Sequence, residues 1–237
     1  MTSWPTTAEE LVRVQRELAA ASPPDWSPPA TLELLGGCFV CFARGITGTG
    51  AAGDPGAAAA ALSRRRKLLA SAISLGRAGG PYLAALLALR EGAMLEAAVR
   101  ALDQLPEVLL VNATGRDHPR RAGLALHLGA VLDLPTVGVT NRALVAQGAW
   151  PGDVRGAAAP LRLGNELVGY WLRTRAGAKP VAVHAAWSTD PDTAVEVTLA
   201  AVRRHRTPEP LRRARTAARA ARTRGVGPYP AGSSSTR

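Results

Sequence analysis

Polar side chains able to bind phosphate follow a short apolar run near the middle of the chain. Asn112 comes at the end of this run, and Asp117 and His118 follow it in a loop. Arg120 and Arg121 then lie at the predicted start of a helix, beside backbone N–H groups that have no partner within the helix. Guanidinium groups and helix N-termini both bind phosphate. The stretch therefore predicts an anion-binding loop.

The whole chain is strongly basic. Its 237 residues include 29 Lys and Arg against 18 Asp and Glu, which gives a formal net charge of +11. An Arg-rich proteome would produce the same charge, but a nucleic-acid partner also explains it, because basic side chains neutralise backbone phosphates. A basic group near the C-terminus is either a solvated face or a phosphate-binding patch, and we favour the patch. It comprises Arg203, Arg204, Arg206, Arg212, Arg213, Arg215 and Arg219.

Composition argues against several other classes of protein. The two cysteines, Cys38 and Cys41, form a single C-x-x-C without a second pair, so we expect buried core residues in a reducing cytoplasm. His127 has no potential metal ligand at helical spacing and is predicted to be an ordinary helix residue. The polar N-terminus predicts no secretory signal, and the absence of a long apolar run predicts no membrane span. A monomer is favoured.

The elements that position these side chains follow from hydrophobic periodicity. Apolar residues at three- and four-residue spacing predict a helix over 83–102, and apolar runs at 107–111 and 135–139 predict buried strands. Pro119 predicts the start of the helix between these strands. Further helices are predicted after Thr7, over 191–204 and over 210–222, and further strands over 32–44, 57–62, 68–75, 161–173 (two, around Gly164) and 180–184. Alanine-rich 57–62 is compatible with a helix as well.

The order of elements predicts one α/β domain with a mixed sheet. We divide the chain into an N-terminal helix and proline-rich linker (1–30), the domain itself (31–224) and a disordered tail (225–237). No G-x-G-x-x-G follows a strand, which argues against a dinucleotide-binding fold.

Four segments carry a family resemblance. PYLAALLALREG, VNATGRDHPRR, LALHLGAVLDLPTVGV and HRTPEPLRRA resemble the signature blocks of endonuclease V, in the same order and at similar spacing over residues 32–215. The resemblance implies a ribonuclease H-like mixed β-sheet flanked by helices. It also implies Mg²⁺-dependent cleavage of DNA or RNA near deoxyinosine and other deaminated bases.

The resemblance assigns four catalytic positions to this chain, and the family residue is retained at one of them. Glu91 matches the family Glu, but Phe39 and Asn112 stand where the family has Asp, and Trp187 stands where it has His. Because Mg²⁺ requires hard oxygen ligands, we expect that this copy holds no metal and is catalytically impaired. The alternative is a rearranged metal site in which Glu91 and Asp117 are the ligands. Glu91 could also have a purely structural role, as the ion-pair partner of Arg90 or Arg120.

The recognition residues resemble the family more closely. Pro81 and Tyr82 match the start of a wedge beside the extruded base, although a Tyr that caps a core helix is an equally good interpretation. The other matching or substituted recognition positions are Gly115, His118, Arg120, Arg121 and Asn141, the last in place of a Lys.

Three hypotheses follow. The first is a nucleic-acid-binding protein of DNA-repair type that recognises inosine-like or distorted nucleic acid without cutting it. The second is an active Mg²⁺-dependent endonuclease with rearranged ligands, and the third is a protein-interaction module on the same scaffold.

Overall fold

The computed structural model describes residues 4–43 and 50–225. The predicted tail, apart from its first residue Gly225, lies outside these ranges. The five helices of the described part are α1 (Ala8–Ala20), α2 (Leu87–Arg100), α3 (Leu124–Leu132), α4 (Pro191–Ala201) and α5 (Glu209–Gly225). Its eight strands are β1 (Leu34–Phe42), β2 (Pro55–Arg64), β3 (Lys67–Arg77), β4 (Val108–Val111), β5 (Thr136–Thr140), β6 (Ala158–Leu163), β7 (Glu166–Leu172) and β8 (Val181–Ala185).

The eight strands form one mixed sheet in the order β3-β2-β1-β4-β5-β8-β7-β6. The three central strands, β1, β4 and β5, are parallel, and every other pairing is antiparallel. Helices cover both faces, so the predicted α/β class with a mixed, helix-flanked sheet is confirmed. The carboxyl ends of β1, β4 and β5 lie side by side at one edge, where parallel sheets of this kind bind ligands.

The sheet separates two apolar layers. One layer joins β1, β2 and β4 to α2 and α3, with Leu95 and Leu126 among its fully buried side chains. The other joins the central strands to α4 and α5, where Val197 and Leu211 are buried. No helix among residues 4–43 and 50–225 is long and apolar enough to cross a membrane.

The alanine-rich segment is a strand because both of its faces are covered at short range. Residues 57–61 of β2 are fully buried, and α5 presents the equally buried Ala214 and Ala218 on its inner face. The start of α5 also crosses β1 so closely that a Cβ on Gly37 would lie 2.5 Å from the Pro210 backbone. Small side chains on the strand and the helix permit this approach, and packing overrides the helix propensity of alanine.

Two helices begin later than the periodicity predicts. The helix predicted from residue 83 begins at Leu87, because Ala85 has a left-handed backbone with φ of 63° that interrupts the helix. The helix predicted to open at Pro119 begins at Leu124, because Arg121 has φ of 58°. Residues 81–86 and 117–123 are therefore loops, and these two loops form the site.

Candidate nucleic-acid interface

A cavity of about 160 Å³ lies at the carboxyl ends of β4 and β5. The loop before α2 forms one wall, the loop after β4 forms the floor, and α1 closes one side. The lining residues are Gln15, Tyr82, Leu83, Ala84, Ala85, Leu87, Ala88, Asn112, Ala113, Thr114, His118, Leu124, Thr140 and Leu144. The lining is mostly apolar with a few polar groups, as is usual for a binding pocket.

Tyr82 stands at the rim of this cavity with 56% of its surface exposed. Its backbone N–H donates to the Gly50 carbonyl at 3.1 Å, which fixes the loop while leaving the ring in solvent. The interpretation of Tyr82 as the cap of a core helix is wrong, because the residue precedes α2 and its ring is exposed. Pro81 beside it is also exposed and does not line the cavity.

The carbonyl oxygen of Ala85 holds the cavity wall together. It accepts hydrogen bonds from Gln15 Nε2 at 3.1 Å, from Arg120 Nη2 at 3.0 Å and from His118 Nε2 at 3.1 Å. The other ring nitrogen of His118 accepts the Arg120 backbone N–H at 3.1 Å, which selects the neutral Nε2–H tautomer. Burial lowers the pKa of His118 to about 4, so the ring is a neutral part of the wall at pH 7.

Asp117 is a structural carboxylate. It is fully buried and accepts backbone N–H groups from Leu144, Val145 and Ala146 at 2.6, 2.9 and 2.7 Å. These bonds pin the segment after β5 against the loop after β4. Because both oxygens are already occupied, the alternative in which Asp117 joins Glu91 as a metal ligand has no support in this geometry.

Glu91 is the retained family carboxylate, and it forms none of the predicted ion pairs. Arg90 points away to Asp54 at 2.7 Å, and Arg120 is engaged by Gln15 at 2.6 Å. The structural interpretation, in which Glu91 pairs with either arginine, is therefore wrong. Burial raises the pKa of Glu91 to about 8, and the charge of Arg90 offsets this only in part. The carboxyl is thus largely protonated at pH 7.

Phe39 lies under α5. The guanidinium carbon of Arg215 is 5.3 Å from the centroid of its ring, within cation–π range. The neighbouring residue, Cys38, points to the other layer, where burial and then the charge of Glu91 raise its thiol pKa. Phe39 therefore faces α5, whereas Glu91 belongs to α2, which packs on the other side of β1.

Asn112 and Asn141 follow neighbouring parallel strands at the same sheet edge. Asn112 lines the cavity, whereas the side-chain oxygen of Asn141 accepts a hydrogen bond from Arg206 at 2.8 Å. Arg206 also donates to the carbonyls of Lys179 and Pro180, at 2.5 and 2.7 Å. A guanidinium group is thus fixed at the position where the resemblance implies a lysine.

Comparison with known proteins identifies the family of this chain. A sequence model described as Endonuclease V matches residues 28–216, most of the chain. The chain belongs to the endonuclease V family. It is 38% identical over 219 residues to Endonuclease V of Streptomyces avermitilis, with 89% of this chain and 90% of that protein covered. It is 39% identical over 224 residues to Endonuclease V of Nocardia farcinica, covering 92% and 93%.

Solved structures agree with the family and the fold. The crystal structure of Endonuclease V from S. avermitilis superposes with a TM-score of 0.84 at 36% identity, covering 95% of this chain and 97% of that one. The catalytic domain of human Endonuclease V gives 0.80 at 26% identity, covering 93% and 100%. Endonuclease V of Ciona intestinalis, solved with a 24mer DNA containing an inosine, gives 0.75 at 19% identity, covering 92% and 98%, and supports the fold alone. The predicted ribonuclease H-like fold is confirmed.

The residues present do not fit the Mg²⁺ implied by the endonuclease V resemblance. Phe39 and Asn112 contribute no carboxylate, and Glu91 has a pKa near 8. Among residues 4–43 and 50–225, no group of three or more His, Cys, Asp or Glu residues is placed to hold a metal. The residues outside these ranges contain no Asp, Glu, His or Cys. Since Mg²⁺ needs oxygen ligands and gives up water reluctantly, this sheet edge is a poor magnesium site.

The structure separates the remaining predicted positions from the cavity. Gly115 lies behind it, where a Cβ would be 2.1 Å from the Ala185 carbonyl oxygen, so close packing against β8 requires glycine. Trp187 lines a different cavity between α1 and α3, beside His127. Arg121 forms a salt bridge with Glu166 at 3.0 Å and donates a hydrogen bond to the Leu163 carbonyl at 3.1 Å. Neither this residue nor Arg120 lies at a helix N-terminus, because α3 begins later than predicted.

Sequence reasoning missed two contributions to the site. Gln15 is fully buried against the cavity wall, and its signal was a polar residue on the apolar stripe of α1. The contact between Arg215 and Phe39 joins the strand-one position to the C-terminal arginines. Helical spacing alone could not identify which arginine of α5 makes that contact.

Proposed function

We propose that this endonuclease V family member binds nucleic acid containing deaminated or distorted bases, and that its capacity for Mg²⁺-dependent cleavage is impaired. The observation that carries the proposal is a preformed cavity with an exposed Tyr82 at its rim, at the edge where β4 and β5 end. A protein that extrudes a base needs such a pocket and a side chain that fills the vacated stack.

The polar groups of the cavity suit a neutral heterocycle. Asn112 offers an amide donor and acceptor, and the His118 ring is uncharged at pH 7. Apolar walls at Leu83 and Leu124 would stack on or enclose a base. Inosine-containing DNA, bound in the Ciona structure, is the ligand class this chemistry favours.

Impaired cleavage follows from charge. Two positions where the resemblance implies Asp are Phe39 and Asn112, and the remaining carboxyl, on Glu91, is largely protonated at pH 7. A divalent cation would therefore meet few anionic oxygens at this sheet edge. The rearranged pair of Glu91 and Asp117 is disfavoured, because the Asp117 oxygens are used by three backbone N–H groups.

Binding and cleavage assays test the two parts separately. We expect tighter binding to a single-stranded oligonucleotide with one deoxyinosine than to its deoxyguanosine counterpart. Tyr82→Ala should reduce that preference by about tenfold, since base–aromatic stacking contributes roughly 1–3 kcal/mol. Trp150→Ala is the matched control, because Trp150 is equally exposed (55%) but lies outside the cavity.

Cleavage is measured on inosine-containing DNA and RNA with MgCl₂ and with MnCl₂. Metal-dependent nicking that Glu91→Ala abolishes would overturn the impaired part of the proposal. Equal affinity for inosine and guanosine strands would overturn the recognition part. A chain that binds neither strand would favour the protein-interaction alternative.

A further inference from the structure

Three arginines with no acidic partner lie along the sheet edge beside the cavity. We call Arg206, Arg215 and Arg219 the arginine cluster. Arg215 contacts Phe39, and Arg206 is fixed by Asn141, so the cluster extends along the ends of the parallel strands. The two residues that these arginines contact, Phe39 and Asn141, stand where the family resemblance implies an Asp metal ligand and a Lys.

The cluster carries charge that the protein itself does not neutralise. In contrast, Arg212 and Arg213, which lie between Arg206 and Arg215 in the chain, share the carboxylate of Glu209 at 2.6 and 3.8 Å. No salt bridge within 4.0 Å joins the arginine cluster to a carboxylate in the described part of the chain, and the remaining residues contain no Asp or Glu.

The guanidinium groups of the arginine cluster also repel one another. Burial, and then the positive charge of Arg219, lower the pKa of Arg215, while burial and then the charge of Arg215 lower the pKa of Arg206. The Nε–H of Arg215 is buried and has no hydrogen-bond partner in the described structure. Like charges held together with a donor unused are stabilised by an anion that binds between them.

We infer that the arginine cluster binds a backbone phosphate of the nucleic acid directly, at the edge where the family resemblance implies a magnesium ion. The inference rests on the proposed function and deepens it. Arg206 is bound by Asn141, the residue that follows the cavity-lining Thr140, so the Arg206 end of the cluster lies next to the cavity.

Phe39 is the residue that keeps the cluster available. An aspartate at this position would lie beside the Arg215 guanidinium and pair with it, which would remove the cation from phosphate binding. The aromatic ring instead makes a cation–π contact with the guanidinium group and leaves its positive charge unpaired. Phe39 in place of an aspartate thus removes a metal ligand and also leaves the Arg215 guanidinium able to bind an anion.

Salt-dependent binding of fluorescein-labelled single-stranded DNA tests the inference. Arg215→Ala should weaken binding about tenfold and reduce the slope of log K against log salt by about 0.7, the value for one lost phosphate contact. The loss should be equal for inosine and guanosine strands. Phe39→Asp should weaken binding in the same way, without saturable binding of MgCl₂ in calorimetry.

Arg13→Ala is the control, because Arg13 is an exposed helical arginine outside the basic C-terminal region and its charge is paired with Glu17 at 2.7 Å. Arg215→Lys keeps the charge and should retain the slope, and circular dichroism confirms that each variant is folded. An unchanged slope in folded Arg215→Ala, an equal loss in Arg13→Ala, or Mg²⁺ binding gained by Phe39→Asp would each overturn the inference. Loss of inosine preference with an intact Arg215 effect would overturn the proposed function alone.

Discussion

The raised pKa of Glu91 predicts that this one residue makes folding pH-dependent. Its ordinary pKa is 4.5, and burial raises it to about 8 in the folded protein. Between these values the folded state retains a proton that the unfolded state releases, so the free energy of unfolding falls as pH rises. Above pH 8 Glu91 is ionised in both the folded and the unfolded protein, and the free-energy cost of its buried charge no longer changes with pH.

The size of the change in the free energy of unfolding follows from the difference between the unfolded and the folded pKa of Glu91. At about 1.4 kcal/mol per pH unit, the full difference is at most about 5 kcal/mol. Glu91 retains partial contact with solvent, which reduces the expected value to about 2–3 kcal/mol. Glu91→Gln removes the titration and nearly preserves the shape. The variant should therefore gain about 2–3 kcal/mol over the wild type between pH 5 and pH 8.

Urea unfolding followed by tryptophan fluorescence at several pH values measures this difference. Glu17→Gln is the control, because Glu17 is an exposed carboxylate that pairs with Arg13 on the surface of α1. Parallel stability curves for Glu91→Gln and the wild type would refute the reasoning. Millimolar MgCl₂ should leave the wild-type curve unchanged at pH 8, and a selective gain in wild-type stability would mean that Glu91 binds the metal.

Two further variants test the packing behind the cavity. Asp117→Asn should lower the free energy of unfolding by about 2–3 kcal/mol, because an amide cannot accept all three backbone N–H groups that the carboxylate accepts. An unchanged urea midpoint would contradict this structural role. Gly115→Ala should cost more than about 2 kcal/mol, because its Cβ would meet the Ala185 carbonyl, whereas Gly152→Ala has open space and should cost little. Equal thermal shifts for the two alanine variants would argue against that close contact.

Hydrophobic periodicity predicted most of the fold, because burial on one or both faces imposes a regular pattern on the sequence. It predicted the helix after Thr7, the strands that pair as β2 and β3, and the two strands around Gly164 that pair as β6 and β7. It misplaced the starts of α2 and α3. Left-handed backbone at Ala85 and Arg121 is imposed by tertiary contacts, and neither residue signals it locally.

The candidate site was harder to predict, because its contacts join residues far apart in the chain. The Ala85 carbonyl gathers donors from α1 and from the loop after β4, which no local motif encodes. Asp117 resembled a spare metal ligand because only the structure shows its three backbone partners. Of the family positions named by the resemblance, Asn112 lines the cavity and Glu91 does not.

The electrostatics of this sheet edge favour recognition over metal binding. An aspartate at position 39 would attract both Mg²⁺ and the Arg215 guanidinium, and the ion pair would compete with the metal. With Phe39 and Asn112 in place and Glu91 largely protonated at pH 7, the edge carries guanidinium charge without opposing carboxylates. Under the proposed function, such a surface would attract the phosphates of a bound strand more strongly than a divalent cation. The cavity and the arginine cluster would then hold a damaged strand together, and the cleavage assay with MgCl₂ decides whether it is also cut.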